Sequence, residues 1–226
     1  MFELYSRKLA LEAEFKGQRS ELLAKDTMFK LSSYVLLKRG DNGSMGDIAC
    51  IAYENLVAYK SFDREKIQKE IREKTLEEVL ELDWGYEIEE LRCSGNYEFL
   101  VGWTKKPSIS KDMINLVKSS ITQDFLKKVE KIVQNLKLAM KNGNKMEIKR
   151  NILENGNELK KLKEEIYSEE LVELVEATEN LDVCAKSSGS GGGDCGVAIS
   201  FSKKDSEILV ERWKSVGIEL LYKSEL

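Results

Sequence analysis

Much of the chain carries hydrophobic residues at the three- and four-residue spacing of an amphipathic helix. This spacing recurs in segments that are rich in Leu, Ile, Lys and Glu. It predicts helices over residues 3–39, 48–55, 63–82 (one helix or a pair), 111–178 with an interruption at 141–144, and 204–216. Within the first segment, Asp26 or Thr27 is the expected cap of a helix that begins at Met28.

Hydrophobic residues alternate with polar ones, or form short apolar runs, in five further segments, and this pattern predicts strands. These segments are residues 56–59, 86–91, 97–103, 197–201 and 218–222. From residue 84 onward, the predicted order is strand, strand, helices, strand, helix and strand. This order is typical of an α+β sandwich whose helices cover one face of a mainly antiparallel sheet.

Composition narrows the class of protein. The 226 residues suffice for one large domain or two small ones. Charged residues make up 34% of the chain but leave a net charge of only -4, so we expect neither a nucleic-acid partner nor a basic membrane-binding patch. No stretch has the roughly 20 apolar residues of a membrane span, and the first residues lack the apolar core of a secretory signal.

Histidine and cysteine usage limits the possible chemistry. The chain has no histidine, which excludes Ser-His, Cys-His and His-metal sites and leaves acid–base work to carboxylates, lysines or the substrate. Its four cysteines form no C-x-x-C pair, and most have apolar neighbours. We therefore expect reduced, mostly buried thiols in a cytoplasmic protein.

A glycine-rich segment, SSGSGGGDCG at 187–196, precedes the strand at 197–201. Because an apolar run through Ala185 comes before it, we expect a tight loop between a helix and a strand rather than a flexible linker. No Gly-Lys-Ser/Thr follows the glycines, which excludes a Walker A loop. Two alternatives remain: a structural turn, or a nest of backbone N–H groups that binds an anion.

Two other segments allow both a structural and a functional interpretation. Ser44-Met-Gly-Asp47 matches the capping box S-x-x-D, but the same helix start could present N–H groups to a phosphate beside the Asp47 carboxylate. Residues 105–110, KKPSIS, form either a solvated loop with Ser110 as a helix cap or a cationic, hydroxyl-bearing clamp for an anionic substrate.

Three segments occur in the same order in one known family. They are LLKRGDNGSMGDIAC (36–50), FLVGWTKKPSISKDM (99–113) and AKSSGSGGGDCGVAISF (185–201), and SFDRE (61–65) and GIELLY (217–222) also fit. From about residue 27 to the end, the chain resembles the bacterial phosphomevalonate kinases of the GHMP kinase superfamily. The resemblance implies the two-domain α+β fold of that superfamily, with a C-terminal α/β sandwich domain at 92–226 and a remnant of the N-terminal domain at 1–91.

The activity implied by the resemblance is transfer of the γ-phosphoryl group of ATP, with Mg²⁺, to the phosphate of phosphomevalonate in the mevalonate route to isoprenoids. One departure is large: neither the Gly-Leu-Gly-Ser-Ser phosphate loop of these kinases nor their early catalytic lysine occurs here. We therefore expect a C-terminal portion, from a truncated gene, an engineered fragment or a split enzyme with a separate N-terminal half chain as partner. An inactive remnant and a small-molecule binding module of the same fold are the alternatives.

The resemblance also implies roles for individual residues. Asp47 corresponds to the acidic residue beside the acceptor, where it orients the acceptor or a lysine, because a phosphate acceptor is already ionised near neutral pH. No metal ligand is assigned in this chain. The implied substrate-binding residues are Asn42, Gly43, Ser44, Lys105, Lys106, Ser108, Ser110, Ser187, Ser188, Gly189, Ser190, Gly191, Gly192 and Gly193.

Overall fold

The computed structural model describes residues 18–108 and 110–226, and their packing divides the chain into two compact units. The first unit ends at Leu91, and the second covers Arg92–Leu226. The assignment of 1–91 to a remnant of an N-terminal kinase domain, and of 92–226 to the C-terminal domain, stays a prediction.

The first unit combines helices with a two-stranded antiparallel sheet. Its elements are α1 Gln18–Lys38, α2 Gly46–Tyr53, β1 Val57–Lys60, α3 Arg64–Glu73, α4 Leu76–Glu81 and β2 Glu87–Glu90. Segment 63–82 is a helix pair because Asp63 and Thr75 each cap a helix through a side-chain oxygen. Thr75 and Glu78 complete a capping box, which satisfies two backbone N–H groups at the start of α4.

Aromatic rings form the core of the first unit. The Phe29 side chain of α1 has no solvent exposure and packs edge-on against Tyr86, with 4.6 Å between ring centroids. Phe62 meets Trp84 in the same way at 4.9 Å. Edge-to-face pairs add to the free energy of burying apolar area. Because Phe29 and its helical neighbours are buried along one side of α1, that side is held against this core.

The expected helix cap at Asp26 or Thr27 is wrong, because α1 continues through both residues. Asp26 accepts a hydrogen bond from the Tyr86 hydroxyl and pairs with Lys30, with 3.5 Å between Oδ2 and Nζ. Burial of the side of α1 that carries Phe29 stabilises an unbroken helix. The Asp26 side chain therefore bonds to Tyr86 and Lys30 instead of capping a helix end.

The capping box expected at Ser44 is also wrong. Helix α2 begins at Gly46, and the preceding Met45 adopts a left-handed backbone with φ 66°. The Met45 side chain is 2% exposed, so its burial in the core favours this unusual backbone conformation. Ser44 Oγ accepts from Gly46 N at 3.4 Å, and Asp47 lies in the first turn of α2.

The second unit contains the remaining elements. They are β3 Glu98–Trp103, α5 Ser110–Val117, α6 Gln123–Lys141, α7 Lys145–Leu162, α8 Glu169–Glu176, β4 Val183–Ser187, β5 Cys195–Ser200, α9 Lys203–Ser215 and β6 Glu219–Glu225, with short 3₁₀ turns at Lys118–Ser120 and Glu164–Ile166. The break between α6 and α7 lies at the predicted interruption.

A four-stranded antiparallel sheet with the order β4-β5-β3-β6 organises the second unit. Along β3, buried residues alternate with half-buried ones, as expected of a strand with one face against a core. That core combines residues of the sheet with residues of α8 and α9: Leu100, Ala185, Ala198, Leu171, Leu174, Leu209 and Trp213. The predicted α+β class, with helices against an antiparallel sheet, is confirmed.

The element expected before the glycine-rich loop is wrong. Residues 183–187 form the edge strand β4 rather than the end of a helix, so the loop is a hairpin between β4 and β5. Val183 and Ala185 face the core, and the pairing of Ala185 with Ala198 fixes the register. A short apolar run is compatible with either element, and pairing with β5 decides in favour of a strand.

All four cysteines are free thiols, but the expected burial holds for Cys184 alone among them. Cys93 and Cys195 are half-buried, and Cys50 is exposed. Within the part of the chain that the structure describes, no helix combines the length and apolar character that crossing a membrane requires.

We predict that Leu174→Ala lowers the free energy of unfolding by about 2–5 kcal/mol, because it leaves a cavity in the core of the second unit. Leu174 has no solvent exposure, and its carbonyl accepts from Trp213 Nε1 at 3.0 Å. Urea unfolding followed by tryptophan fluorescence measures the change. Leu138→Ala is the control, because Leu138 is 55% exposed. Equal costs for the two substitutions would contradict the core described above.

Candidate functional site

The loop before α2 is held by side chains from the segment that follows β1. Arg64 Nη1 donates to the carbonyl of Asn42 at 2.5 Å, and Arg64 Nη2 donates to the carbonyl of Gly43. The carbonyl of Ser44 accepts from the Tyr59 hydroxyl at 2.8 Å and from Ser61 Oγ at 3.3 Å. Three consecutive carbonyls of the predicted substrate loop are therefore fixed from one side.

Asp47 stands at the helix start that this loop leads into. Its side chain is exposed, and its backbone N–H lies in the first turn of α2, where helical N–H groups have no partner within the helix. Burial raises the pKa of Tyr59, with a smaller contribution from the Asp47 charge, so the Tyr59 hydroxyl stays a donor to Ser44 at neutral pH. The unit thus presents a carboxylate and helix N–H groups together.

In the second unit, the glycine-rich hairpin is tied to two neighbouring segments through its backbone. Gly192 N donates to the carbonyl of Ile166 at 2.9 Å, and Asp194 N donates to the carbonyl of Lys106 at 2.7 Å. Asp194 has φ 53°, so the hairpin ends in a left-handed residue before β5. The hairpin is therefore an ordered loop held at both sides.

Hydroxyl groups of the segment after β3 complete this attachment. Thr104 donates through its backbone N–H, at 2.8 Å, and through Oγ1, at 2.9 Å, to the carbonyl of Asp194. Ser108 Oγ donates to the carbonyl of Gly191 at 2.7 Å. The predicted site residue Ser108 thus contacts the hairpin directly, whereas Ser110 is the first residue of α5.

The glycines at 191 and 193 are required by this packing. Gly191 has φ 77°, and a Cβ there would strike the Ile166 carbonyl. Gly193 has φ 144°, and its Cβ would lie 2.5 Å from the Lys106 carbonyl oxygen. Gly189 also has a positive φ, 61°, but a Cβ there would meet nothing within 4 Å. Close approach of backbones explains two of these glycines, while the third lies at the open tip.

Two N–H groups at the tip of the hairpin remain available to a ligand. Ser188 N donates to the carbonyl of Cys195 at 2.9 Å, as expected of a hairpin. The N–H groups of Gly189, Ser190, Gly191 and Gly193 donate to no residue within the ranges that the structure describes. Gly189 is exposed and Ser190 half-buried, so their two successive N–H groups can meet a ligand, whereas Gly191 and Gly193 are buried. Successive backbone N–H groups can form the kind of concavity that binds anions.

Ser187 differs from the other hairpin residues. Its side chain has no solvent exposure, and its Oγ has no hydrogen-bond partner among residues 18–108 and 110–226. Its backbone N–H, on the outer edge of β4, donates to the Tyr167 hydroxyl at 3.4 Å. Contact of Ser187 with a ligand would therefore require a change in its surroundings.

The two predicted lysines are engaged in ion pairs. Lys106 Nζ lies 2.6 Å from Glu170 Oε1, and Lys105 Nζ lies 3.5 Å from Glu219 Oε2. The hydrogen bond from Lys106 holds the pKa of the Glu170 carboxyl below its ordinary value. Both lysines would have to exchange a carboxylate for the substrate, so their role as a clamp stays a prediction.

Lys186, which the sequence analysis missed, lies immediately before the hairpin. Its Nζ donates to the carbonyl of Ser187 at 2.6 Å, and burial lowers its pKa to about 8. It forms no ion pair with any residue in the described ranges. Side chains alternate along β4, so Lys186 lies on the face opposite Ser187. A prediction of a strand at this position would have indicated that this lysine is buried.

Comparison with known proteins relates this geometry to one group of enzymes. Residues 135–219 match the family described as GHMP kinases C terminal. The chain is 44% identical to a Streptococcus pneumoniae phosphomevalonate kinase, solved in complex with phosphomevalonate and AMPPNP, with a TM-score of 0.87 over 89% of this chain and 61% of that one. The chain therefore has the fold of the GHMP kinases, and residues 135–219 match the C-terminal domain of that family.

Two further relatives agree with this family. The Lin0012 protein of Listeria innocua is 32% identical, with a TM-score of 0.81 over 88% of this chain and 59% of that one. A phosphomevalonate kinase of Streptomyces sp. (strain CL190) is 26% identical over 209 residues, which are 87% of this chain and 56% of that protein. The expected resemblance to phosphomevalonate kinases and the GHMP kinase fold are therefore confirmed.

The chain spans roughly 56–61% of the length of these relatives. None of the three relatives supports the expected partnership with a separate N-terminal half chain.

We predict that Gly191→Ala destabilises the second unit more than Gly189→Ala does. Both substitutions force alanine into a left-handed backbone, at a cost of about 1 kcal/mol. Gly191→Ala also displaces the Ile166 carbonyl, for a total of about 3 kcal/mol. Urea unfolding of the two variants measures the difference. If the two costs were equal, the close approach at Gly191 would not stabilise the hairpin.

We predict that Lys186→Met removes a pH dependence of stability. A lysine whose pKa falls to about 8 in the folded state binds its proton more tightly when unfolded, so stability rises with pH above about 8. The gain in the free energy of unfolding is at most about 1.4 kcal/mol per pH unit. Urea unfolding between about pH 7 and 10 should show this slope in the wild type and a smaller one in the variant.

Lys204→Met is the control for this measurement, because Lys204 is exposed on α9. The control should retain the slope of the wild type. An identical slope in Lys186→Met and the wild type would contradict the burial of the Lys186 amine.

Proposed function

We propose that this chain is part of a phosphomevalonate kinase and contributes the binding site for the phosphoryl acceptor. An oxygen of the phosphate of phosphomevalonate attacks the γ-phosphorus of ATP, ADP leaves, and mevalonate diphosphate forms. The 44% identity to a kinase solved with phosphomevalonate and AMPPNP supports the substrate and the nucleotide. The observation that carries the proposal is that the N–H groups of Gly189 and Ser190, at the accessible tip of the hairpin, donate to no residue in the ranges that the structure describes.

The hairpin is suited to bind anionic oxygens. Phosphoryl transfer is catalysed mostly by positioning and by neutralising negative charge. N–H groups that are fixed before the substrate arrives need no reorganisation during the reaction. In this proposal Gly189 and Ser190 donate to the phosphates, Ser188 and Gly192 act through their structural hydrogen bonds, and Gly191 and Gly193 act through the close packing that the lack of a Cβ permits.

Asp47 has a role other than proton removal in this proposal. The second pKa of a phosphate monoester is about 6, so the attacking oxygen is already largely ionised at neutral pH. The exposed carboxylate at the start of α2 would instead orient the acceptor through its hydroxyl or carry a hydrogen bond from a lysine. Asn42, Gly43 and Ser44 are proposed to line the same side.

Within the part of the chain that the structure describes, no three Cys, Asp or Glu side chains form a group that could hold a metal ion. We therefore derive no step through Mg²⁺ from these residues, although the proposed reaction uses it. Lys105, Lys106, Ser108 and Ser110 are proposed as secondary contacts, with the two lysines exchanging their glutamates for the phosphate.

We predict that the purified chain binds phosphomevalonate in titration calorimetry, and that it binds mevalonate, which lacks the phosphate, at least about tenfold more weakly. Separate titration with Mg-ATP shows whether the chain also binds the nucleotide. Asp47→Asn, and Ser190→Pro, which removes the Ser190 N–H, should each weaken phosphomevalonate binding, by about tenfold for the loss of one charge-assisted hydrogen bond.

Glu54→Gln is the matched control, because Glu54 is an exposed carboxylate at the other end of α2. It should bind phosphomevalonate as the wild type does. Absence of phosphomevalonate binding to the wild-type chain would overturn the proposal for this chain, and binding that is unaffected by both site variants would overturn the assigned residues.

A further inference from the structure

The loop of residues 42–44 has an unusual pattern of hydrogen bonds. Each of its three carbonyls accepts from a side chain of the segment between Tyr59 and Arg64. The peptide bonds are trans, and in a planar trans peptide the N–H points opposite to the carbonyl. The N–H groups of Gly43, Ser44 and Met45 therefore point away from these side chains.

One of these N–H groups, that of the exposed residue Ser44, is available to a ligand, whereas Met45 is only 2% exposed. Gly43 N donates to Asp41 Oδ1 at 2.6 Å, which closes a local turn. The N–H groups of Ser44 and Met45 donate to no residue in the ranges that the structure describes. Met45 is left-handed, and successive N–H groups around such a residue form an anion-binding concavity.

Arg64 is the charged member of this arrangement. Its half-buried guanidinium forms no ion pair within the described part of the chain, and its Nε is buried without an acceptor. The charge is thus directed at two neutral carbonyls. A guanidinium can donate to both at once because its N–H groups form a rigid planar fork, which a lysine ammonium lacks.

We propose that Arg64 is a positioning residue of the acceptor site. By holding the carbonyls of Asn42 and Gly43, it fixes the direction of the Ser44 N–H, which lies at an exposed residue and can receive the phosphate of the acceptor. Tyr59 supports the same orientation through the Ser44 carbonyl. The identity of the acceptor rests on the proposed function, whereas the effect of Arg64 on the loop does not.

Hydrogen exchange of the ligand-free chain tests the positioning directly. Arg64→Met and Arg64→Lys should both speed exchange of the Gly43 amide by about tenfold or more, because losing the two-carbonyl fork frees the turn that its hydrogen bond to Asp41 closes. Arg72→Met is the control, since Arg72 is exposed on the same helix α3. Its loop should exchange as in the wild type. Unchanged exchange in both Arg64 variants would overturn the proposal.

Titration separates this inference from the proposed function. In Arg64→Met, the affinity for phosphomevalonate should fall about tenfold or more relative to the affinity for mevalonate, because the displaced donor faces the phosphate. A merely structural role would lower both affinities alike, and that result would overturn the acceptor role. If the wild type binds no phosphomevalonate, the acceptor role fails with the proposed function, and hydrogen exchange still decides on the positioning.

Discussion

The candidate site of the second unit depends on two backbone hydrogen bonds that reach across from the glycine-rich hairpin, from Gly192 to Ile166 and from Asp194 to Lys106. They can form because the adjacent Gly191 and Gly193 lack the Cβ atoms that would strike the same carbonyls. These bonds join the hairpin to the segment after β3 and to the turn before α8. The tip of the hairpin, which makes no such bonds, is left with its N–H groups exposed to a ligand.

The first unit fixes its loop by the opposite means. In the loop at 42–44, side-chain donors bind the backbone carbonyls and thereby orient the N–H groups. In the hairpin, carbonyls of neighbouring segments accept from some backbone N–H groups, and the remaining N–H groups have no partner in the described ranges. A side-chain clamp is more sensitive to a single substitution than a backbone one, because it depends on one guanidinium. The loop at 42–44 and the glycine-rich hairpin therefore differ in what holds them in place.

The hydrophobic pattern was sufficient to predict β3, the helical character of residues 63–82 and the break between α6 and α7, but it left open whether 63–82 form one helix or two. It failed at β4, where a short apolar run has no helical or strand period of its own and only pairing with β5 selects the strand. It failed at Ser44 because the burial of Met45 overrode a good capping pattern.

Site residues within a sequence motif could be predicted, whereas residues that act through a contact distant in sequence could not. SFDRE marked the segment that contains Arg64, yet nothing in it shows that the guanidinium reaches two carbonyls more than twenty residues earlier. Lys186 was missed for a related reason, because its environment depends on β4 being a strand. Both residues act on a loop that the sequence did identify.

Charge at the candidate site is distributed in a way that favours backbone donors. Lys105 and Lys106 already face Glu219 and Glu170, so their net contribution to an approaching anion is small. Exposed pairs of this kind contribute little and weaken with salt. The N–H groups at the two loops that make no hydrogen bond in the described ranges keep their polarity at any pH, whereas Lys186, which has no carboxylate partner in those ranges, loses its charge above about pH 8. Binding of a phosphate by these loops would therefore depend on their backbone geometry more than on the protonation of nearby lysines.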